Sequence, residues 1–395
     1  MSIINMRTVT PVNTFLGCGS SRLAGKLVSG MNLSKVLLVC DESVKAFGLV
    51  DGVLESLQEA KVSIVMYDGV QPDPPAAMID EVAALCKKEG CQCVISVGGG
   101  SVLDTGKFAA LLQANPGSIC DYAANTAAPR VKGIPFIAVP TTAGTGSEVT
   151  SGAVVTLPNG VKVGVSGPEL FATAALLDPA LTLGLPKGGT ASTAMDAFAH
   201  AVEAMLSGIG NPICDILSLQ AVHLIAKSLK KAVDNGQDEH ARQDLMLAAY
   251  LAGMSLNDGG CNYGHAIAHI IGAKYHLPHG AVCAVAAPMV IEYFAEAFPE
   301  KIRQIGQAME LSLESGLDPK ACAKKVADAV RELNDSVGIR PLSALGVRYE
   351  DLPMLAEAIL QEPCVMVLRM TLPEAQITAE DFLLPLQREF QRTSC

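Results

Sequence analysis

Six side chains able to bind a cation or move a proton fall in three short segments, Asp196-Ala-Phe-Ala-His200, His265-Ala-Ile-Ala-His269 and His276-Leu-Pro-His279-Gly280. Residues four apart on a helix share one face, with Cβ atoms roughly 5–6 Å apart, so a carboxylate and an imidazole at that spacing can close on one ion. Around the first pair the chain reads Ala194-Met195-Asp196-Ala197-Phe198-Ala199-His200-Ala201-Val202, an apolar context in which a lone carboxylate is costly unless a cation compensates it. Oxygen and nitrogen donors without a thiolate suit Fe(II), Zn(II) or Mn(II) better than a structural thiolate-zinc centre. His223 and His240 stand apart from this clustering and read as ordinary residues.

A second chemistry is written upstream. Val97-Gly98-Gly99-Gly100-Ser101-Val102-Leu103-Asp104 follows an apolar β-branched run and opens a helical pattern. Without Cβ atoms, backbone N–H groups can approach a diphosphate, and a helix N-terminus adds favourable partial charge. Pro140-Thr141-Thr142-Ala143-Gly144-Thr145-Gly146-Ser147-Glu148 is dense in hydroxyls at the end of another run and can bind cofactor phosphate, ribose or carboxamide without adding charge. Asp41 follows a third run, where an acid can bind an adenosine ribose or simply cap a loop. Gly17-Cys18-Gly19 and Gly144-Thr145-Gly146 begin like dinucleotide fingerprints but lack the third glycine.

The elements that must position these groups have two textures. Up to about Leu183, the runs 35–40, 62–66, 93–97 and 134–139 alternate with helical stretches, including a crossover helix within 73–88, which predicts a parallel α/β sheet. After Leu185-Pro186 long amphipathic segments dominate (191–206, 212–233, 244–255, 299–313 and 319–337), which predicts an all-helical domain. The expected division is an α/β dinucleotide-binding domain over 1–184 and an all-α metal-binding domain over 185–395. A chain of 395 residues exceeds one hydrophobic core, and 50% hydrophobic with 17% charged residues excludes disorder. A net charge of −11 without a basic run argues against nucleic acid or an anionic membrane surface as partner. The twelve cysteines sit in hydrophobic contexts and read as reduced core thiols, the Met1–Arg7 stretch lacks the pattern of a secretion signal, and no uninterrupted apolar run reaches membrane length. The expected location is the cytoplasm.

Together these motifs resemble the group III, iron-containing alcohol dehydrogenases, through Gly98-Gly-Gly-Ser101-Val-Leu-Asp104, Pro140-Thr-Thr-Ala-Gly-Thr-Gly-Ser-Glu148, Asp196-Ala-Phe-Ala-His200 and His265-Ala-Ile-Ala-His269 with Pro278-His279-Gly280. The resemblance runs from Phe15-Leu16-Gly17 to the C-terminal helices. It implies metal ligation by Asp196, His200, His265 and His279, with the active site in a cleft between the two domains. His269 is implied to assist proton movement near the nicotinamide rather than to bind metal, and His276 to be an ordinary loop residue. By the same resemblance Gly98, Gly99, Ser101 and Asp104 contact the diphosphate and nicotinamide end, Thr141 and Thr142 hold the phosphate and adenine side, and Lys162 approaches the ribose. Asp41 matches the position that favours NAD over NADP, since a carboxylate there repels a 2′-phosphate. A homodimer is implied as well.

The activity so implied is NAD(H)-linked interconversion of an alcohol and an aldehyde, with Fe(II), or alternatively Zn(II) or Mn(II), as Lewis acid. The departure from the family pattern at Leu256–Gly264 suggests an unusually polar pocket, and those at Ile270-Ile271-Gly272 and Met370–Pro373 imply an altered pocket shape. The expected substrate is a short hydroxy-, sulfo- or phosphonoaldehyde contacted by Asn262 and Tyr263. The alternatives are a glycerol-dehydrogenase-like zinc enzyme, a cyclase resembling 3-dehydroquinate synthase, for which the chain offers few of the required bases, and a non-catalytic protein whose metal stabilises the fold.

Overall fold

The computed structural model describes residues 11–125 and 130–392, so the Met1–Arg7 stretch lies outside the described residues. The chain divides into two compact units, the first ending at Leu183 and the second beginning at Gly184.

The β-branched runs of the first unit become parallel strands: β1 (Asn13–Leu16), β2 (Lys35–Val39), β3 (Ser63–Tyr67), β4 (Cys93–Gly98) and β5 (Phe136–Pro140). An antiparallel hairpin follows, β6 (Gly152–Thr156) with β7 (Lys162–Ser166), before β8 (Ala174–Leu177) returns to the main sheet. The sheet order is β1-β8-β5-β4-β2-β3, and every neighbouring pair is parallel. Helices α1 (Ala24–Gly30), α2 (Glu42–Ala46), α3 (Asp51–Glu59), α4 (Ala76–Lys88), α5 (Gly100–Leu111) and α6 (Ile119–Ala124) connect the strands. Leu38, Ile95 and Val97 pack into one core and Leu37, Val39 and Val94 into another, so both faces of the sheet are covered. That burial explains why the strand sequences are continuously apolar rather than alternating.

The chain runs outward from β2 to β3 and then crosses back to place β4 on the other side of β2. The order therefore reverses between β2 and β4, and crevices at such a reversal, beyond the carboxyl ends of the strands, are where open α/β sheets bind ligands. Asp41 follows β2 and the triple glycine ends β4, so both candidate cofactor segments sit at that reversal. The hairpin was not visible as a sequence period because its strands carry the glycines Gly152 and Gly164. It is tied to α5 by the buried Lys107, whose ammonium donates to Thr150 O at 2.9 Å and Gly152 O at 2.6 Å.

The second unit is helical: α7 (Lys187–Met205), α8 (Pro212–Asp234), α9 (Glu239–Gly259), α10 (Tyr263–Tyr275), α11 (His279–Tyr293), α12 (Pro299–Ala308), α13 (Pro319–Ser336), α14 (Leu352–Leu360), α15 (Val365–Thr371) and α16 (Glu380–Gln391). Several boundaries are set by local chemistry. Asn211 accepts from the Ile213 and Cys214 N–H groups with Pro212 at the first helical position, and Asp318 and Pro319 begin α13 in the same way. Helix α12 stops short of the expected Leu313, with Glu310 in the left-handed region at φ 62° just beyond its end. Helix α7 packs against α8, α9 and α11, and α11 also packs against α10 and α13. Helix α11 is buried on every side from Gly280 to Ile291, so its sequence carries no amphipathic period to read. Helix α8 is long and apolar enough to cross a membrane by length and composition, but Asp215 and Lys227 interrupt it, and its buried residues face helices of this unit.

Candidate metal centre and dinucleotide loop

The two pairs at helical spacing land on α7 and α10, and α11 begins at His279. Their convergence surrounds a single oxygen. The Nε2 atoms of His279, His265 and His200 lie 3.5, 3.7 and 3.9 Å from Asp196 Oδ1, and that buried atom has no hydrogen-bond partner. Two donors held at 2.0–2.3 Å on a tetrahedral ion are about 3.3–3.8 Å apart, so these separations have the scale of a coordination shell rather than of hydrogen bonds near ~2.9 Å. Burial alone would raise the Asp196 carboxyl, yet His200, His279 and His265 hold it far below the usual carboxylate range. An orphaned, ionised oxygen ringed by imidazoles fits a divalent cation. The His279 side chain is 44% exposed while Asp196 and His265 are buried, which leaves one side of the cluster open, as a catalytic rather than a structural centre requires.

Two residues supporting this cluster escaped the sequence reading. Glu203, seven positions beyond Asp196 on the same face of α7, is fully buried and accepts from His265 Nδ1 at 2.7 Å. That bond fixes the tautomer in which His265 Nε2 presents its lone pair to the cluster. The other Glu203 oxygen accepts from the Asn262 N–H at 2.6 Å. The recurrence of Asp196, His200 and Glu203 along one helix face was the available signal. Cys283, one turn after His279, places its sulfur 3.5 Å from His279 Nε2 and 3.8 Å from His265 Nε2. A sulfur thus lies against two of the imidazole nitrogens that face Asp196. Gly280 explains how α11 comes so close: a Cβ there would lie 2.0 Å from the Ser192 carbonyl oxygen and 3.0 Å from Asp196 Cβ.

His269 stands beside the cluster, its ring centroid 5.4 Å from that of His279, with Nδ1 2.7 Å from Glu362 Oε1. It groups with Glu362 and Cys364 rather than with Asp196. His276 ends α10 in the left-handed region at φ 52°, and His223 Nδ1 pairs with Ala308 O at 3.2 Å, so both are structural.

Asn262 and Tyr263 require correction as substrate contacts. Asn262 is fully buried, its amide donates to Glu203 O and Leu206 O, and its Oδ1 accepts from the Tyr263 N–H at the start of α10. Tyr263 is fully buried between the rings of Tyr293 and Phe382, and its hydroxyl donates to Asp381 O at 2.6 Å. With every polar atom spoken for inside the helical core, neither has a group left to offer a substrate.

In the first unit, Gly99 stands at the N-cap of α5 without a capping side chain, so the first-turn N–H groups are open to an anion. A Cβ at Gly100 would lie 2.8 Å from Thr145 Cγ2, so glycine is what lets the two loops nest. Thr141 N–H donates to Gly98 O at 3.1 Å, and Thr142 lies against Gly99, which gathers these residues at one end of β4 and β5. Asp41 caps α2, its Oδ1 accepting from the Val44 N–H at 2.8 Å, so the capping role holds. Ser101 Oγ accepts from the Asp73 N–H, and Lys162 pairs with Asp73 at 2.7 Å on the exposed hairpin. Asp104 is committed to the scaffold, one oxygen accepting from Ser147 Oγ at 2.8 Å and the other from the Val154 N–H at 2.9 Å. Gly17 to Gly19 lie beyond β1, where Asp178 accepts from the Gly19 and Ser21 N–H groups, a structural clamp.

Residues 11–179 match the iron-containing alcohol dehydrogenase family, and residues 190–379 match its C-terminal domain. The chain belongs to this family. It is 36% identical to 1,3-propanediol dehydrogenase of Klebsiella pneumoniae over 90% of this chain and 92% of that one. Its structure superposes on an alcohol dehydrogenase from Oenococcus oeni with a TM-score of 0.91 at 35% identity, covering 97% of this chain and 99% of the other. Sulfoacetaldehyde reductase from Bifidobacterium kashiwanohense, solved in complex with NAD+, gives a TM-score of 0.86 at 26% identity, with 99% and 100% covered.

Replacing Gly280 by Ala must push α11 away from Ser192; the expected result is a loss of about 1–3 kcal/mol in stability by urea denaturation together with substoichiometric metal by elemental analysis. Glu203→Gln puts an amide where two N–H donors converge, and metal affinity should fall about 10–100-fold in competition with a chromophoric chelator; unchanged affinity would remove Glu203 from the support of His265.

Proposed function

We propose that this protein is a metal-dependent, NAD(H)-linked alcohol dehydrogenase or aldehyde reductase. The observation that carries the reading is the buried, partnerless Asp196 oxygen encircled by three imidazole nitrogens, in a chain whose other unit presents an open helix N-terminus at the reversal of a parallel sheet. Asp196, His200, His265 and His279 would hold the metal. Gly98, Gly99 and Ser101 would hold the cofactor diphosphate, with Thr141 and Thr142 beside it and Lys162 near the ribose. Asp104 would act through the loop it braces, by way of Ser147 and Val154.

When bound, the metal supplies Lewis-acid polarisation of a carbonyl or hydroxyl oxygen and the dinucleotide supplies or accepts the hydride. The residues of the chain do the rest. Glu203 holds His265 in one tautomer, and the Asp196 carboxylate supplies negative charge where a cation must be desolvated. Glu362 accepts from His269 Nδ1 and orients the ring, so His269 Nε2 is the atom that exchanges a proton with substrate or solvent. Asp41 disfavours a 2′-phosphate and so favours NAD over NADP.

For the substrate, the reading is a short aldehyde bearing a polar or anionic group, such as a hydroxy-, sulfo- or phosphonoaldehyde. Asn262 and Tyr263 no longer support it; the support comes from relatives named for 1,3-propanediol and sulfoacetaldehyde. Iron is the metal named by the family, and Zn(II) or Mn(II) accept the same donors. A cytoplasmic setting agrees with the free thiols of the described cysteines, and a homodimer follows from the resemblance alone.

Asp196→Ala and His265→Ala should each abolish NADH-dependent aldehyde reduction and lower bound metal; wild-type turnover by either metal-free variant would dismiss the centre. In a panel followed by NADH absorbance, polar or anionic short aldehydes should exceed unsubstituted alkyl aldehydes in kcat/KM, and the reverse order would overturn the substrate class while leaving the reaction intact.

A further inference from the structure

We propose that the thiol sulfur of Cys283 is a further ligand of the metal centre, joining the donor atoms of Asp196, His265 and His279. The inference rests on the metal centre proposed above and goes beyond its four ligands.

The geometry is that of a shared shell. One donor atom from each of Asp196, His265, His279 and Cys283 lies within 4.8 Å of every other. The sulfur is 3.5 Å from His279 Nε2 and 3.8 Å from His265 Nε2. For a metal–nitrogen bond of about 2.1 Å and a metal–sulfur bond of about 2.3 Å, the nitrogen–sulfur edge runs from about 3.1 Å at a 90° ligand angle to about 3.8 Å at 120°, a range that holds both separations. A single S–H proton can serve one acceptor, whereas this sulfur faces two imidazole nitrogens, and Asp196 Oδ1 nearby has no partner at all. A cation among them satisfies all of these atoms at once.

The placement is built in rather than incidental. His279 and Cys283 are four apart on α11 and share one face of that helix, and Cys283 is fully buried. On ligation the S–H bond breaks, its proton leaves to solvent, and the sulfur electron pair forms the bond to the metal. No oxidant or reductant takes part. A sulfur donor shifts preference toward Zn(II) or Co(II) and away from Mn(II), which favours oxygen-rich sets. Cys261 and Cys364 are nearby thiols as well, but the first groups with His200 and His265 and the second with His269 and Glu362, neither with Asp196 and His279.

Cobalt substitution separates the sulfur from the site as a whole. The full-length protein, stripped of metal and loaded with Co(II), should show visible ligand-field bands and, in addition, a strong near-ultraviolet sulfur-to-cobalt charge-transfer band. Cys283→Ser should retain stoichiometric cobalt and the visible bands but lose the near-ultraviolet band, while Cys261→Ser retains both. Visible bands without a charge-transfer band in the unmodified protein would overturn the sulfur ligand and leave the four-ligand centre standing. A charge-transfer band that survives Cys283→Ser, or that disappears in Cys261→Ser, would overturn it equally. Failure of the unmodified protein to bind cobalt would overturn the centre and the sulfur together. Absence of the band in the unmodified protein decides without any variant, and if Cys283→Ser fails to fold, Cys283→Ala gives the same comparison.

Discussion

One buried oxygen organises the helical unit. Asp196 Oδ1 is enclosed, ionised and without a hydrogen bond, a condition that costs several kcal/mol in a protein interior unless charge compensates it. Three imidazoles turn their Nε2 atoms toward it, and none comes close enough to be a good hydrogen-bond donor. Hydrophobic packing alone would not select that arrangement. A cation among the four side chains, as proposed, would supply the compensating charge, and the apolar helices around Asp196 keep its carboxylate from solvent.

The packing that holds these groups follows from the same constraint. From Gly280 to Ile291 helix α11 is apolar and buried on all sides, and Gly280 lets its first turn approach the backbone of α7. Glu203 links α7 to α10 through His265 and Asn262, so the second imidazole is positioned by a carboxylate that itself has two backbone or side-chain donors. Asn262 and Tyr263 then fasten the start of α10, one to α7 and one among the aromatic rings of Tyr293 and Phe382. Residues that looked like pocket polarity are the hinge pins of the scaffold.

The α/β unit solves a different problem by the same economy of atoms. Its sheet reverses order between β2 and β4, and the loops leaving β2, β4 and β5 carry the acid, the glycines and the hydroxyls. Asp104 and Lys107, neighbours on α5, spend their polar atoms on the 147–154 segment, so this helix both offers its N-terminus and braces the loop facing it.

The linear sequence by itself determined the parallel α/β unit, the helical unit and the motif pairs, because continuous β-branched runs, amphipathic periods and i, i+4 spacings are local properties that survive without a partner. It could also show that Gly98–Gly100 opens a helix, since strand, turn and helix are contiguous there. Tertiary structure alone decided which donors meet. Cys283 reads as one more core thiol until α11 is laid against α7 and α10, and Glu203 reads as an isolated acid until His265, 62 residues away, turns toward it. Asn262 and Tyr263 carry polar atoms whose partners are on distant helices, so whether those atoms face a ligand or the core is a question of packing that no local pattern contains. The hairpin β6–β7 was likewise hard to read, because its two strands are short and each includes a glycine, and its attachment to α5 depends on Lys107, 45 residues before Gly152.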